Sequence, residues 1–82
     1  MSNFHALDLL KEQVLLNRNK NCKNIDLERI FLSVLGTNRS DFYTKTHYLS
    51  TDNKSELYEM ISRRNSGEPL AYILGRKGFW NI

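Results

Sequence analysis

The fold is decided by the stretch Asp26-Leu27-Glu28-Arg29-Ile30-Phe31-Leu32-Ser33-Val34-Leu35-Gly36. Its large apolar residues recur at intervals of three and four, and they are Leu27, Ile30, Phe31, Val34 and Leu35. This spacing places them on one face of an α-helix and predicts that this face is buried. Asp26 and Glu28 lie in the first turn, where the helix dipole favours negative charge. Gly36 follows the last apolar residue, where a left-handed conformation commonly ends a helix.

Two weaker helices are predicted around this one. The first extends from about Asn3 to Leu16, and its main apolar face comprises Phe4, Leu7, Leu10 and Val14. Because Leu9 and Leu16 fall on the other side, we expect this helix to be covered on two sides. A short helix from Ser40 to about His47 follows Gly36, with Ser40 or Asp41 as its cap. Phe42 and Tyr43 are its expected anchors.

The C-terminal half predicts two more helices. One begins near Ser50, Thr51 or Asp52, and its apolar stripe comprises Leu57, Met60 and Ile61. It ends at Gly67. Arg64 lies on the stripe, whereas Arg63 points away from it. Glu68 and Pro69 open a short fifth helix that ends at Gly75, because proline suits a first helical position. Its buried edge is predicted to be Leu70, Ile73 and Leu74, with Tyr72 off that edge.

The predicted fold class is therefore all-α, a small five-helix bundle with short connections. The chain has 82 residues, which suffices for one domain and one modest core. A doubly wound nucleotide-binding fold needs several β-α-β units and does not fit this length. No apolar run approaches the ~20 residues that a membrane span requires. No secretory signal pattern opens the chain, and the single cysteine, Cys22, excludes an internal disulfide, so we expect a cytoplasmic protein.

The last seven residues depart from the helical pattern. Arg76-Lys77-Gly78-Phe79-Trp80-Asn81-Ile82 reads as an extended, aromatic tail. A single strand has no ladder partner, so we expect the natural chain to continue beyond Ile82. The alternative is that the tail folds back onto the bundle. The predicted division is a bundle at residues 1–75 and the start of a linker at 76–82.

Composition and residue spacing predict few groups capable of catalysis in the chain. His5 and His47 are far apart and lack metal-ligand spacing, so no metal site is predicted. No glycine-rich loop follows a strand, and no catalytic or cofactor-binding residue is predicted. The net charge of +3 is too small to indicate a nucleic-acid partner. A helix-turn-helix around Gly36 is not favoured, because Asp41, Phe42 and Tyr43 replace a row of base-reading residues.

A motif in the C-terminal half resembles a known family. One stretch is similar to the end of the N-terminal domain of the HemK/PrmC family. It is Arg63-Arg64-Asn65-Ser66-Gly67-Glu68-Pro69-Leu70-Ala71-Tyr72-Ile73-Leu74-Gly75, followed by Phe79 and Trp80. That family's pattern is R-R-x-x-G-E-P-[LI]-A-[YH]-[IL]-x-G-x-x-x-F, and every fixed position matches. Asp26-Leu27-Glu28 resembles the family's D-A-E-x-L-L helix, with Leu27 in place of alanine, and Leu49-Ser50 resembles its L-T helix start.

The resemblance implies a function for the parent protein. The family comprises protein-(glutamine-N5) methyltransferases that use S-adenosylmethionine to modify the Gly-Gly-Gln motif of peptide chain release factors. It implies a helical N-terminal domain for substrate recognition, a hairpin linker and a Rossmann-like methyltransferase domain. The catalytic Asn-Pro-Pro-Tyr motif is absent here, since the chain has one proline. The chain alone is thus expected to be non-catalytic and to hold no cofactor.

Two residues near the motif are candidates for partner contact. Arg63 is a basic group suited to an acidic partner, and Tyr72 falls off the apolar edge of the last helix. The expected partners are a release factor and the parent's own C-terminal methyltransferase domain, without membrane or nucleic acid. Glu68 is expected to cap a helix or to pair with Arg64. The alternative interpretation is a free-standing helical adaptor or nucleic-acid-binding domain.

Overall fold

The structure is a computed structural model that describes residues 4–75. Its elements, in chain order, are β1 (Phe4–His5), α1 (Ala6–Leu16), α2 (Asn24–Leu35), α3 (Arg39–Thr44), β2 (Tyr48–Leu49), α4 (Thr51–Asn65) and α5 (Leu70–Gly75). The five predicted helices and the all-α class are confirmed. The predicted extended tail at 76–82 lies outside the described residues, and the division at residue 75 stays a prediction.

Helix α2 occupies the centre of the bundle. It packs against α1, α4 and α5, and Leu27, Ile30 and Phe31 are fully buried. Val34 and Leu35 lie at the edge of the same apolar face and are half-buried. Gly36 has a φ of 69°, a left-handed conformation that a side chain would disfavour, and its N–H donates to the Leu32 carbonyl at 2.8 Å. The predicted helix and its glycine stop are confirmed.

Helix α1 begins at Ala6, and the prediction that it begins near Asn3 was wrong. Phe4 and His5 instead pair antiparallel with Leu49 and Tyr48, respectively. The Ala6 N–H then donates to the carbonyl of His47 at 2.9 Å. These backbone bonds hold the N-terminal residues extended, because each one satisfies a group that a helical start would leave unpaired.

The buried face of α1 is rotated from the predicted one. The residues that reach the core are Ala6, Leu9, Leu10 and Gln13. Leu7 and Val14 are only half-buried, while Leu16 is 60% exposed. The expectation of an apolar helix covered on two sides was therefore wrong. Small Ala6 and polar Gln13 lie on the core face because α2 and α4 approach α1 there, and hydropathy alone does not reveal that approach.

Helix α3 is capped by Asn38, whose Oδ1 accepts the Asp41 N–H at 2.8 Å. The predicted caps, Ser40 and Asp41, lie inside the helix, which ends at Thr44 rather than His47. Phe42 is buried as predicted. Tyr43 is 47% exposed, and its hydroxyl donates to Glu28 Oε2 at 2.7 Å.

The last two helices follow the prediction closely. Ser50 caps α4 by accepting the Asn53 N–H at 3.2 Å, and the predicted stripe of Leu57, Met60 and Ile61 is buried. In α5 only Ile73 is fully buried, whereas Leu70 and Leu74 are half-buried. Across residues 4–75, none of the helices has the length and apolar character that crossing a membrane would require.

Candidate functional site

The turn between α4 and α5 is set by its backbone. Gly67 has a φ of 106°, which an L-residue with a side chain rarely adopts. The Gly67 N–H donates to the Arg64 carbonyl at 3.1 Å, and the Glu68 N–H donates to the Arg63 carbonyl at 3.2 Å. These two bonds form a Schellman motif, which satisfies the carbonyls left open at a helix end. The glycine of the motif is therefore a conformational requirement of this turn.

Arg63 and Glu68 form a two-point ion pair across the turn. Arg63 Nε lies 2.6 Å from Glu68 Oε1, and Nη2 lies 2.8 Å from Oε2. The hydrogen bond with Glu68 raises the pKa of Arg63, although partial burial acts against this. Such a fork fixes both side chains in one orientation. Glu68 was expected to cap a helix or to pair with Arg64. Its carboxylate pairs with Arg63, whereas Arg64 Nη1 donates to the Glu68 backbone carbonyl at 3.1 Å.

Arg64 joins the end of α4 to the start of α2. Its Nε lies 3.2 Å from Asp26 Oδ2, and the two side chains are 26% and 13% exposed. The same carboxylate oxygen accepts the Lys23 N–H at 3.1 Å, so Asp26 also satisfies an open donor at the start of α2. The position of Arg64 on the α4 stripe, as predicted, is what brings it to α2.

Asn65 connects the same helix end to the α1–α2 loop. Its Oδ1 accepts the Cys22 N–H at 2.8 Å, and its Nδ2 donates to Asn17 Oδ1 at 2.8 Å. The Asn65 carbonyl accepts from Asn21 Nδ2 at 2.9 Å. Sequence reasoning missed this residue, because an asparagine near a helix end has no spacing that indicates tertiary partners.

Cys22 is held fully buried beneath this loop. Burial, followed by the negative charge of Asp26, raises the pKa of its thiol to about 11. A thiol in this state stays protonated near neutral pH and is a poor nucleophile. Its role is packing.

Tyr72 projects from α5 with 60% of its surface exposed, while the neighbouring Ile73 is buried. Its phenol makes a small contribution to the raised pKa of Arg63, so the two residues are electrostatic neighbours. The two residues predicted to contact a partner thus lie on either side of the α4–α5 turn. Whether they contact a partner stays a prediction.

The described residues do not fit a cradle for S-adenosylmethionine. Such a cradle needs a glycine-rich loop that leaves a strand and opens a helix. The two described strands have two residues each, and Gly36 and Gly67 both follow helices. Within residues 4–75, no three His, Cys, Asp or Glu side chains are grouped to hold a metal ion.

The fold and this turn define the class: a small all-helical domain whose last helix is fixed in direction by a glycine turn and by ion pairs. The family model described as PrmC N-terminal domain matches residues 12–75, and the chain belongs to that family. The resemblance inferred from the Arg63–Gly75 motif is confirmed.

Three relatives illustrate the similarity, and each is a release factor glutamine methyltransferase. The protein from Francisella tularensis is 42% identical over 57 residues, which are 68% of this chain and 20% of that protein. The protein from Pseudomonas aeruginosa is 36% identical over 59 residues, 71% of this chain and 21% of its own length. The protein from Pasteurella multocida is 34% identical over 77 residues, 87% of this chain and 26% of its own length.

The chain thus spans between a fifth and about a quarter of the length of these relatives. No solved structure matches the chain with comparable significance.

Proposed function

We propose that this chain is the N-terminal substrate-recognition domain of a release factor glutamine methyltransferase. The family match over residues 12–75 carries the proposal. On this proposal the cytoplasmic parent enzyme transfers a methyl group from S-adenosylmethionine to the side-chain amide nitrogen of the glutamine in a release factor's Gly-Gly-Gln motif. The chain itself contributes binding surface, and the reaction and the cofactor belong to a C-terminal methyltransferase domain.

A recognition role is physically reasonable for this reaction. A single glutamine in a loop offers far less than the ~800 Å² per partner that a specific protein interface usually buries. Selectivity for release factors therefore needs binding surface away from the reacting amide, and such remote binding energy also helps to orient that amide. A rigid helical domain linked to the catalytic domain supplies such a surface.

The α4–α5 turn supports contact with a partner. Glu68 engages Nε and Nη2 of Arg63, which leaves Nη1 to meet an acidic group. Tyr72 offers an exposed ring and a hydroxyl, a combination that is common at protein interfaces. Because α5 lies nearest in sequence to the expected methyltransferase domain, we propose that Tyr72 contacts that domain.

Methylation kinetics of the full-length parent protein test the proposal. Purified release factor and an isolated Gly-Gly-Gln peptide are compared as substrates, with mass spectrometry locating the added methyl group. We expect methylation at the glutamine, with kcat/KM for the intact factor at least about 10-fold higher, equivalent to ~1.4 kcal/mol of additional transition-state binding. Equal efficiency on the peptide would contradict a recognition role.

The coding sequence after Ile82 provides a simpler test. We expect it to encode a methyltransferase domain that contains an Asn-Pro-Pro-Tyr motif. A stop codon directly after Ile82 would favour the alternative of a free-standing helical adaptor.

A further inference from the structure

An apolar groove follows helix α1 where it faces the start of α2 and helix α3. Two neighbouring depressions, of about 390 and 350 Å³, share Leu10, Val14 and Tyr43 and therefore form one surface. We call this surface the α1 groove, and its apolar lining comprises Leu7, Leu10, Val14, Leu15, Ile25 and Tyr43.

Three large residues of the α1 groove are unusually exposed for their size. Leu15, Ile25 and Tyr43 expose 65%, 50% and 47% of their surface, respectively. Leu10, which is 6% exposed, forms the floor between them. Clustered rather than scattered apolar exposure marks interaction surfaces in soluble proteins. Burying such side chains against a partner would remove this exposure.

The α1 groove also has a distinct charge. Two cationic residues, Lys11 and Arg39, line it. Glu28 is the one carboxylate among the lining residues. Glu28 Oε2 lies 3.2 Å from Arg39 Nε and accepts a hydrogen bond from the Tyr43 hydroxyl. Arg29 lies four positions after Ile25 in α2, so it continues the exposed helix face that borders the groove.

These side chains make the border of the groove positive. Lys11, Arg29 and Arg39 against Glu28 leave a formal charge of +2 among these four residues. Among residues 4–75, no ion pair engages Lys11 or Arg29. Unpaired charges on one border favour an oppositely charged partner and steer its approach.

We propose that the α1 groove docks a segment of the release factor that carries apolar side chains flanked by Asp or Glu. This inference rests on the proposed function and adds to it the docking surface and the chemistry of the docked segment. Leu15 and Ile25 receive the apolar side chains, and Lys11, Arg29 and Arg39 face the acidic ones.

The composition of the groove favours protein over RNA as its occupant. Its most exposed members, Leu15 and Ile25, are aliphatic and gain most from contact with other apolar side chains. Single-stranded nucleic acids bind mainly by stacking bases on aromatic rings. Tyr43 is the one aromatic residue that lines the groove in the described structure, and its hydroxyl is already engaged by Glu28.

Binding of full-length variants to purified release factor tests the proposal. Isothermal titration calorimetry on the Leu15→Ala, Ile25→Ala double variant should give a Kd at least tenfold above that of the unmodified protein. Lys11→Glu with Arg29→Glu should also raise Kd at least tenfold and flatten its dependence on salt. These side chains are exposed, so thermal unfolding should be nearly unchanged and confirms that each variant folds.

A neighbouring residue supplies the matched control. The exposed fraction of Leu16, 60%, is close to that of Leu15, 65%. Leu16, however, lines the cleft between α1 and α4 beside Tyr58. Leu16→Ala should change Kd by less than twofold. Lys20→Glu, in the same cleft, controls for the charge change and should have an equally small effect.

The possible outcomes separate this inference from the proposed function. If the unmodified protein binds release factor and the Leu15, Ile25 variant binds equally tightly, the groove assignment is overturned and the recognition role stands. If the unmodified protein does not bind release factor, the proposed function itself fails. If the Lys11, Arg29 variant loses affinity for single-stranded RNA but keeps its affinity for release factor, the groove is a nucleic-acid site and the proposal is overturned.

Discussion

Replacing Asn65 with alanine should unfold the domain at a markedly lower temperature. The Asn65 side chain accepts from the Cys22 N–H and donates to Asn17 Oδ1, each at 2.8 Å. Alanine removes both bonds. The Cys22 N–H and Asn17 Oδ1, which lie in the α1–α2 loop, are then left without the Asn65 partner. Asn17 is only 5% exposed, so water compensates it poorly.

The expected magnitude follows from these two losses. A neutral hydrogen bond contributes ~0.5–1.5 kcal/mol, and a buried group left without a partner costs ~1–3 kcal/mol. Alanine recovers about 0.5 kcal/mol through its higher helix propensity. The free energy of unfolding should therefore fall by ~2–3 kcal/mol. For a domain of this size each kcal/mol lowers Tm by about 4–8 °C, so we expect a decrease of ~10–20 °C.

Thermal and urea unfolding of the 82-residue chain, followed by circular dichroism, measure this effect. Asn53→Ala is the matched control, since Asn53 lies in the same helix and its side chain makes no hydrogen bond among the described residues. That variant should differ from the unmodified chain by less than about 0.5 kcal/mol. If Asn65→Ala and Asn53→Ala unfold together, the loop connection assigned to Asn65 contributes nothing and the reasoning is refuted.

Three further predictions concern the same end of the molecule. Gly67→Ala should lower the free energy of unfolding by ~1–2 kcal/mol, because the φ of Gly67 is positive. Gly75→Ala is the control and should leave it nearly unchanged, because φ is not positive there and the space around Gly75 is open. Equal losses for the two variants would contradict the strain argument. A double-mutant cycle of Arg64→Ala and Asp26→Asn should give a coupling of about 1 kcal/mol or more in urea unfolding, and additive effects would argue against the ion pair. Cys22 should react slowly with a thiol reagent at pH 8 unless the chain is unfolded. Because the folded pKa of its thiol, about 11, exceeds the ordinary value of 9.0, the contribution of Cys22 to stability should be complete below pH 9 and lost as pH rises to 11. A flat pH profile there would contradict this assignment.

Local patterns in the sequence were sufficient to predict most of the helical architecture. The interval pattern from Leu27 to Leu35 identified α2, and Gly36 was correctly assigned to its end. Ser50, the cap of α4, was one of three candidates that the sequence offered. These features depend on residues close in sequence, since caps and amphipathic faces form within one helix. The β1–β2 pair was not predicted, because two-residue strands show no periodicity and their bonds join positions 4–5 to 48–49.

The same distinction applies to the α4–α5 turn. The motif identified the family, but the roles of its residues depend on tertiary partners that the string does not encode. Glu68 pairs with Arg63 rather than Arg64 because the Schellman turn reverses the chain and brings the two side chains together. Arg64 finds Asp26 instead, 38 positions away. The main structural role of the motif is thus to fix the direction of α5.

The α1 groove depends on which α1 residues the core leaves uncovered. Sequence periodicity assigned Leu7 and Val14 to the core, whereas Leu9 and Gln13 are the residues that the structure buries there. The offset leaves Leu15 at the surface. Only packing against α2 and α4 determines this rotation, which is why the groove could not be predicted from the helix pattern.

Nuclear magnetic resonance titration of the isotope-labelled 82-residue chain with unlabelled release factor tests the central claim most directly. A recognition domain should show saturable shifts of backbone amides that cluster at Lys11–Arg18 and Ile25–Arg29, while amides of the α4 core face remain unchanged. Absence of any shift at release factor concentrations that saturate the full-length protein would contradict the claim that this domain carries the recognition surface.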